Sequence, residues 1–304
     1  MKILVTGKNG FVAKNLCQKL REENLVVVTT TRNKDDDKHN FQLGDLNVET
    51  DWSQALKEVD IVVHLAARVH VMQETSKDPY KEFMKSNFEA TKKLAEEAYK
   101  QGVKKFIFMS SIFVNGLSTN SHPFSENDFP NPQNDYALSK LQAEEYLMKT
   151  YANSQMSVVI IRPPMIYGRD AKGNWESLIK ICNLRLPLPF KSFNKNKRNF
   201  IYVENLNSFI LSVINKEPKT GIYTISDNEA ISTYEFVKQI CKNLKNKSYL
   251  FSIPFLEKIL SIIGKKEIYD KLASNLVINN SKAKKDFDWN PPYTVYEGIK
   301  KSIN

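Results

Sequence analysis

Tyr136 and Lys140 stand four residues apart in Tyr136-Ala-Leu-Ser-Lys140. On a helix that spacing puts both side chains on one face. The pair suits proton transfer at a carbinol or carbonyl oxygen. A tyrosine at its ordinary pKa of about 10 is a poor base near neutrality. A neighbouring ammonium favours the phenolate and lowers that value. Ser110 and Ser111 end the preceding apolar segment, and a hydroxyl there can hold the reacting oxygen beside the phenol. In a chain with 13 tyrosines the spacing also arises by chance, and the pair would then be an exposed helical neighbour pair.

The N-terminus supplies a place for the hydride that would accompany such a proton. Lys2–Thr6 is an apolar strand candidate running into Gly7-Lys-Asn-Gly10-Phe-Val-Ala13 and then a helical pattern. A glycine turn between a first strand and a first helix lets backbone amides approach a pyrophosphate. Gly7, Asn9, Gly10, Phe11 and Val12 are the candidate contacts, with Ala13 at the third small position. After the second strand candidate come Thr31 and Arg32, where an acid would hold a ribose 2′-hydroxyl. No acid occurs before Asp35, which favours NADP(H). NAD(H) remains possible if Arg32 only stacks on the adenine. Asp45, followed by Leu46, can accept a hydrogen bond from the adenine amino group. Leu65-Ala66-Ala67 is a strand end slim enough for a cofactor to lie against backbone.

These residues need a scaffold of alternating elements, and the first two-thirds of the chain has that pattern. Strand candidates at Leu25–Thr30, Ile61–Leu65, Lys105–Ser110 and Met156–Arg162 alternate with helix candidates at Phe11–Arg21, Trp52–Lys57, Pro79–Lys100 and Asp135–Ala152. Such alternation predicts βαβ units and a doubly wound parallel sheet covered on both faces. After about Ile166 prolines multiply and segments shorten, which predicts a smaller mixed α/β lobe. Phe200–Val203 reads as a strand and Glu204–Asn215 as a helix that can rejoin the sheet. The expected division is residues 1–168 with about 200–216 for the cofactor, and 169–199 with 217–304 for the substrate. Asn33–Asn40 reads as a solvated loop, and the apolar run Ile253–Ile263 as a core-facing helix.

Composition excludes several classes. The 304 residues, 41% hydrophobic and 26% charged, are ordinary for a globular chain. Cys17, Cys182 and Cys241 are scattered and odd in number, which argues for free thiols. Neither they nor the four histidines make a ligand set, so no metal is expected. No run approaches a membrane span of about 20 apolar residues, and no signal-peptide layout precedes the first strand, so a cytoplasmic location without membrane partners is expected. The net charge of +10 comes from scattered lysines without a nucleic-acid-binding motif, so no nucleic-acid partner is expected.

Gly7-x-x-Gly10, Leu65-Ala66-Ala67, Ser110-Ser111 with Val114-Asn115-Gly116, Tyr136-x-x-x-Lys140 and Arg162-Pro163-Pro164 follow the order of motifs in extended short-chain dehydrogenases/reductases. The likeness runs along nearly the whole chain and implies a Rossmann-type fold. Within that family the chain resembles the UDP-glucose 4-epimerase group. It is most similar to its bacterial polysaccharide branch, which includes 4-ketoreductases of UDP-4-keto-6-deoxy-N-acetylglucosamine. The stretch from His64 to Met72, Val114–Gly116 and Ile161–Pro164 carry that likeness. The resemblance implies Ser111, Tyr136 and Lys140 as catalytic residues. It also makes Asn87 the structural asparagine of the fourth helix and Pro163 a cofactor neighbour. Arg198 and Asn174 are implied to hold a nucleotide diphosphate, Pro189 and Phe190 to pack on uracil, and Arg68 and Asn275 to be weaker substrate contacts. A UDP-sugar substrate and a homodimer are implied as partners. Two departures matter: Asn115 replaces the usual tyrosine of the epimerase pattern, and Ile112 and Phe113 occupy the acid–base positions of 4,6-dehydratases, which argues against dehydration. The favoured expectation is NADPH-dependent reduction of a UDP-linked C4 ketone, with a UDP-sugar 4-epimerase holding NAD as the alternative. A non-catalytic cofactor-sensing relative ranks third.

Overall fold

The computed structural model describes residues 1–33, 37–69, 78–245 and 248–304. Lys34 and Asp35, and residues 70–72 of the stretch ending at Met72, lie outside the described residues. In chain order the N-terminal elements are β1 (Lys2–Thr6), α1 (Phe11–Glu22), β2 (Val26–Thr31), β3 (Asn40–Gln42), β4 (Ile61–His64), α2 (Pro79–Phe83), α3 (Ala90–Lys100), β5 (Lys105–Met109), α4 (Asp135–Tyr151) and β6 (Ser157–Arg162). They are followed by β7 (Ile166–Tyr167), α5 (Asn174–Asn183), β8 (Ile201–Tyr202), α6 (Val203–Asn215), β9 (Gly221–Thr224), α7 (Thr233–Asn243), α8 (Leu256–Ile262), α9 (Lys266–Ala273), α10 (Ser281–Phe287) and α11 (Val295–Ile303).

Seven strands form one sheet in the order β3-β2-β1-β4-β5-β6-β9, and every pairing is parallel. Apart from Lys2 at the start of β1, the central strands are buried along their whole length. Burial on both faces explains why they read as continuous apolar runs rather than alternating ones. One face packs on Leu16, Leu20, Leu206 and Phe209, and the other on Trp52, Leu94, Ala98 and Leu147. Strand order reverses between β1 and β4, which opens a crevice at their C-terminal ends. Gly7 follows one of these strands and Leu65 the other.

Several elements differ from the sequence reading. The stretch expected as a helix at Trp52–Lys57 instead forms successive turns over residues 53–58, although Leu56 N–H still bonds to Trp52 O at 2.9 Å. The long helix from Pro79 is interrupted by a π-helical segment at Met84–Glu89. Phe200–Val203 does not rejoin the large sheet, because β8 pairs only with β7 in a separate ribbon. The sheet instead draws in β9, from a stretch the sequence reading placed in the C-terminal lobe. Residues 37–39 lead into β3, and Asp37 there is tied to Lys8 and Arg21 at 3.0 Å each. The helix α8 turns only Leu256 and Leu260 to the lobe core, while Ile259, Ile262 and Ile263 stay exposed.

The C-terminal lobe is held to the sheet by buried polar joints. Asp227 accepts from Tyr167 Oη at 2.8 Å, Tyr202 N at 3.0 Å and Asn205 Nδ2 at 2.7 Å. Burial nevertheless raises its pKa to about 6, the donors pulling the other way. Lys105 donates to the last carbonyls of α6, including Ile214 O at 3.2 Å and Lys216 O at 3.0 Å. An ammonium satisfies those end groups and suits the negative end of the helix.

Candidate active site

The glycine turn is built for a close neighbour. Gly7 holds φ +75°, and a Cβ there would stand 3.0 Å from Ala66 Cα. Only glycine satisfies both demands cheaply. Gly10 N–H closes the turn on Gly7 O at 2.8 Å. The first amides of α1, at Phe11 and Val12, have no helical acceptor and face the head of the crevice. Gly7, Asn9, Gly10, Phe11, Val12, Leu65, Ala66 and Ala67 thus share the mouth between β1 and β4. This cradle fits the pyrophosphate of a dinucleotide.

Beneath it runs a buried polar relay. Thr6 Oγ1 accepts from the amides of Leu65 (3.1 Å) and Ala66 (3.0 Å), so its own proton goes to His64 Nδ1 at 2.8 Å. His64 Nε2 then donates to Thr91 Oγ1 at 2.9 Å, and Thr91 donates to Asn87 O at 2.7 Å. This accounting leaves His64 neutral with its proton on Nε2. Burial, with Lys140 nearby, depresses its pKa to about 3 in agreement. Asn87 grips Arg68 at both N (2.8 Å) and O (2.9 Å) and donates to Ser139 Oγ at 3.1 Å. Ser139 donates in turn to Tyr136 O at 2.7 Å. The relay joins the glycine turn to the helix that carries Tyr136. Asn87 sits in the π-helical segment, a local widening of the kind that often marks functional positions. Its amide is fully engaged with protein and holds the Arg68 backbone in place.

Asn134 caps α4 by accepting from Ala137 N at 2.8 Å, which starts the helix at Asp135. Tyr136, Lys140 and Glu144 then fall on one face. The Ser111 hydroxyl, two residues past the end of β5, is near enough to the Tyr136 phenol to draw its pKa down. It also caps a short 3-10 turn by accepting from Phe113 N at 3.2 Å. Phe83 lies edge-on to the Tyr136 ring at 6.1 Å, and the Arg68 guanidinium sits 5.7 Å from the Phe83 centroid. Lys140 Nζ donates to Met109 O at 2.9 Å and lies 4.6 Å from the Phe108 centroid. Burial pushes the Tyr136 phenol up to about 12, the nearby Ser111 hydroxyl opposing this. Burial pushes the Lys140 ammonium down to about 7, with Glu144 opposing the fall. The net shift of Tyr136 in the protein alone is upward, opposite to the lowering expected from Lys140: desolvation outweighs the opposing Ser111 hydroxyl, and the phenol rests protonated.

Glu144 and Arg162 were not singled out as site residues in the sequence. Both are fully buried, and the Arg162 guanidinium forks onto the Glu144 carboxylate, with Nε at 3.0 and 3.1 Å. Ser110 Oγ donates to the same carboxylate. Arg162 Nη1 donates to Asn115 Oδ1 at 3.0 Å, and Asn115 Nδ2 donates to Ser125 O at 2.7 Å. The asparagine that departs from the family pattern is thus a short bridge between the ion pair and the 115–125 loop. The signal for Glu144 was its place one turn beyond Lys140, and for Arg162 its arginine inside an otherwise apolar strand.

The remaining candidates fall in three places. Arg32 and Asp45 face each other at 3.5 Å, both exposed, at the ends of β2 and β3. A carboxylate therefore does stand beside Arg32 at the end of β2, supplied by the stretch after β3. Thr31 Oγ1 bonds to Asn33 O at 2.7 Å, and Leu46 packs against the sheet core. Pro163 follows β6, and its carbonyl accepts from Ile112 N at 2.9 Å, fixing the turn after Ser111. In the lobe, Arg198 Nη1 donates to Lys271 O (3.0 Å), Ser274 O (2.9 Å) and Ser274 Oγ (2.9 Å). Burial depresses its pKa to about 10, so it stays charged at neutrality. Asn275 lies beside it, accepting from Lys197 N at 2.8 Å. Pro189 opens a short 3-10 turn in which Phe190 packs on Phe193 at 6.1 Å, so Phe190 is part of the lobe core. Asn174 stands exposed as the first residue of α5, and no hydrogen bond among the described residues ties it to Arg198. Among the described residues there is no metal-ligand cluster and no helix long and apolar enough to cross a membrane.

A parallel sheet with its glycine turn at the switch point, and a serine–tyrosine–lysine set beside it, define a nicotinamide-dependent oxidoreductase of the short-chain type. Residues 3–226 match the NAD dependent epimerase/dehydratase family, and the chain belongs to that family as one of its enzymes. It is 38% identical to the UDP-glucose 4-epimerase of Vibrio cholerae, covering 99% of this chain and 94% of that one. It is 29% identical to the N-acetyl-alpha-D-glucosaminyl-diphospho-ditrans,octacis-undecaprenol 4-epimerase of Escherichia coli O157:H7, covering 83% and 75%. The fold matches a UDP-glucuronic acid 4-epimerase from Bacillus cereus solved with NAD, with a TM-score of 0.80 and 21% identity, over 100% of this chain and 97% of that one.

Proposed function

We propose that this chain moves a hydride at C4 of a UDP-linked hexose and that its first task is 4-epimerisation with tightly held NAD. The observation that carries the reading is the Ser111–Tyr136–Lys140 set placed beside the glycine cradle. A nicotinamide dinucleotide in that cradle supplies the hydride acceptor and donor. The work left to the chain is proton transfer. Ser111 holds the C4 oxygen, Tyr136 takes its proton as the carbonyl forms and returns it when the opposite face is reduced, and Lys140 supplies positive charge beneath the phenol. Arg198 and Asn174 grip the diphosphate, Pro189 borders the uracil, and Arg68 and Asn275 flank the sugar. Ile112 and Phe113 have no ionisable group to act as acid or base, so elimination of water is not served here. The Vibrio relative over the whole chain supports epimerisation. Asp45 beside Arg32 supports NAD, since its carboxylate opposes a 2′-phosphate.

One observation favours a second reading, reduction of a UDP-4-keto-6-deoxy-N-acetylhexosamine in surface polysaccharide biosynthesis. The phenol rests protonated, ready to act as an acid toward a ketone oxygen. Thr31 and Arg32 are also compatible with NADP(H) in that role. Denaturing the purified protein and assaying the released nucleotide tests the two. Stoichiometric NAD, with UDP-glucose or UDP-N-acetylglucosamine epimerised without added cofactor, supports the first reading. An empty enzyme that oxidises added NADPH only with a 4-ketosugar overturns it.

A further inference from the structure

The C-terminal lobe carries a concentration of exposed apolar surface. Of the 17 large hydrophobic side chains exposed among the described residues, eight fall within residues 184–186 and 249–268, a small share of the chain. The centre of this surface is α8. Leu256 and Leu260 face the lobe core, whereas Phe255, Ile259, Ile262 and Ile263 face solvent at helical spacing. A helix apolar on both faces is ordinarily buried on both. Ile262 is 85% exposed and Phe255 74%. Phe255 also holds a left-handed φ of 55°, rare for a bulky side chain and a strain that local packing must sustain. Beside this stripe opens a cavity of about 440 Å³ lined by Lys191, Ser192, Ser252 and Lys258. Glu257 also lines it, but its carboxylate is 4.0 Å from Lys266 Nζ. Among the described residues no carboxylate lies within ion-pair distance of Lys191, Lys258 or Lys265. Lys258 Nζ sits 5.5 Å from the Phe255 ring centroid.

We propose that this face docks on an anionic phospholipid bilayer, with the Phe255–Ile263 stripe entering the headgroup boundary and a lipid phosphate seated between Lys191 and Lys258. Charge decides the occupant. A second copy meeting this face with its own would set lysine against lysine, whereas an anionic surface meets the unpaired lysines and the +10 chain with opposite sign. An apolar stripe with aromatic and lysine flanks lies in the interface plane rather than spanning it, its lysine stems reaching toward the phosphates. The site stands apart from the catalytic residues, so it can be tested whether or not the proposed reaction is right.

The test is flotation of the purified full-length chain with phosphatidylcholine vesicles and with vesicles containing an equal share of phosphatidylglycerol. The chain should float with the anionic vesicles, less so at high salt, and only weakly with the neutral ones. Ile262→Glu with Ile263→Glu, or Lys258→Glu with Lys265→Glu, should each weaken binding by at least about tenfold, since each removes either buried apolar area or phosphate attraction. As a readout that leaves the stripe apolar, Phe255→Trp should shift its emission to the blue on anionic vesicles. Failure of the wild-type chain to float, flotation unchanged by both double variants, or a solution dimer that the Ile262→Glu/Ile263→Glu variant splits would each overturn the proposal.

Discussion

Replacing Glu144 by Gln keeps shape and removes one buried charge, and two consequences can be separated. First, Arg162 loses its partner while fully buried, and breaking such a pair typically costs about 3–5 kcal/mol. Second, Lys140 loses the one neighbour that opposes its fall in pKa. Side chains one turn apart on a helix leave the two charges roughly 7 Å apart. At an effective dielectric constant of about 20 their attraction is about 2 kcal/mol, equivalent to roughly 1.5 pH units. Lys140 already titrates at about 7, so the variant should lose its ammonium in the acid range. If activity needs that ammonium, the alkaline limb of kcat/KM moves down by roughly 1.5 units, because kcat/KM reports the free enzyme. A double variant, Glu144→Gln with Arg162→Met, removes the stranded guanidinium. It should regain most of the lost melting temperature while keeping the shifted limb. A double variant that melts near wild type and also keeps the wild-type limb would refute the electrostatic role of Glu144.

Three further outcomes follow from the same geometry. Gly7→Ala forces a methyl against Ala66 at a left-handed φ, costing about 1–2 kcal/mol for the backbone alone, and cofactor affinity by calorimetry should fall at least tenfold. Asp227 has its pKa raised in the folded state, so its stability contribution is fully present below about 3.8 and is lost as pH rises through about 6. Asp227→Asn, with Tyr167 donating to Val295 O instead, should therefore gain on wild type by up to about 3 kcal/mol between those values, read from paired melts at low and neutral pH. Arg198→Met should raise KM for the UDP-sugar by about 10- to 100-fold with kcat less affected, and Arg198→Lys should not restore it, because a lysine cannot make the planar fork.

The candidate catalytic set and the glycine turn were legible because their signals are local. Tyr136 and Lys140 are one helical turn apart, and Gly7 and Gly10 punctuate a strand-to-helix turn. The alternating apolar segments gave the parallel sheet for the same reason. What could not be read were contacts between distant segments. Asp45 reaches Arg32 from another strand. Glu144 meets Arg162 and Asn115 only once α4 is laid on β6. The edge strand β9 is recognisable only by its partner β6. Periodicity identified α8 as apolar but not which of its faces was covered, so a half-exposed helix read as a core one. The direction of the Tyr136 shift likewise depends on burial, which spacing does not carry.

Hydride transfer at C4 with Tyr136 moving the proton would leave an isotopic signature. The most direct measurement follows UDP-glucose and UDP-N-acetylglucosamine deuterated at C4 by NMR with the purified protein. Epimer that retains its deuterium at C4, with a rate reduced by about 10²- to 10⁴-fold in Tyr136→Phe, is the predicted result. Epimer that exchanges the label with solvent, or a rate untouched by Tyr136→Phe, would contradict it.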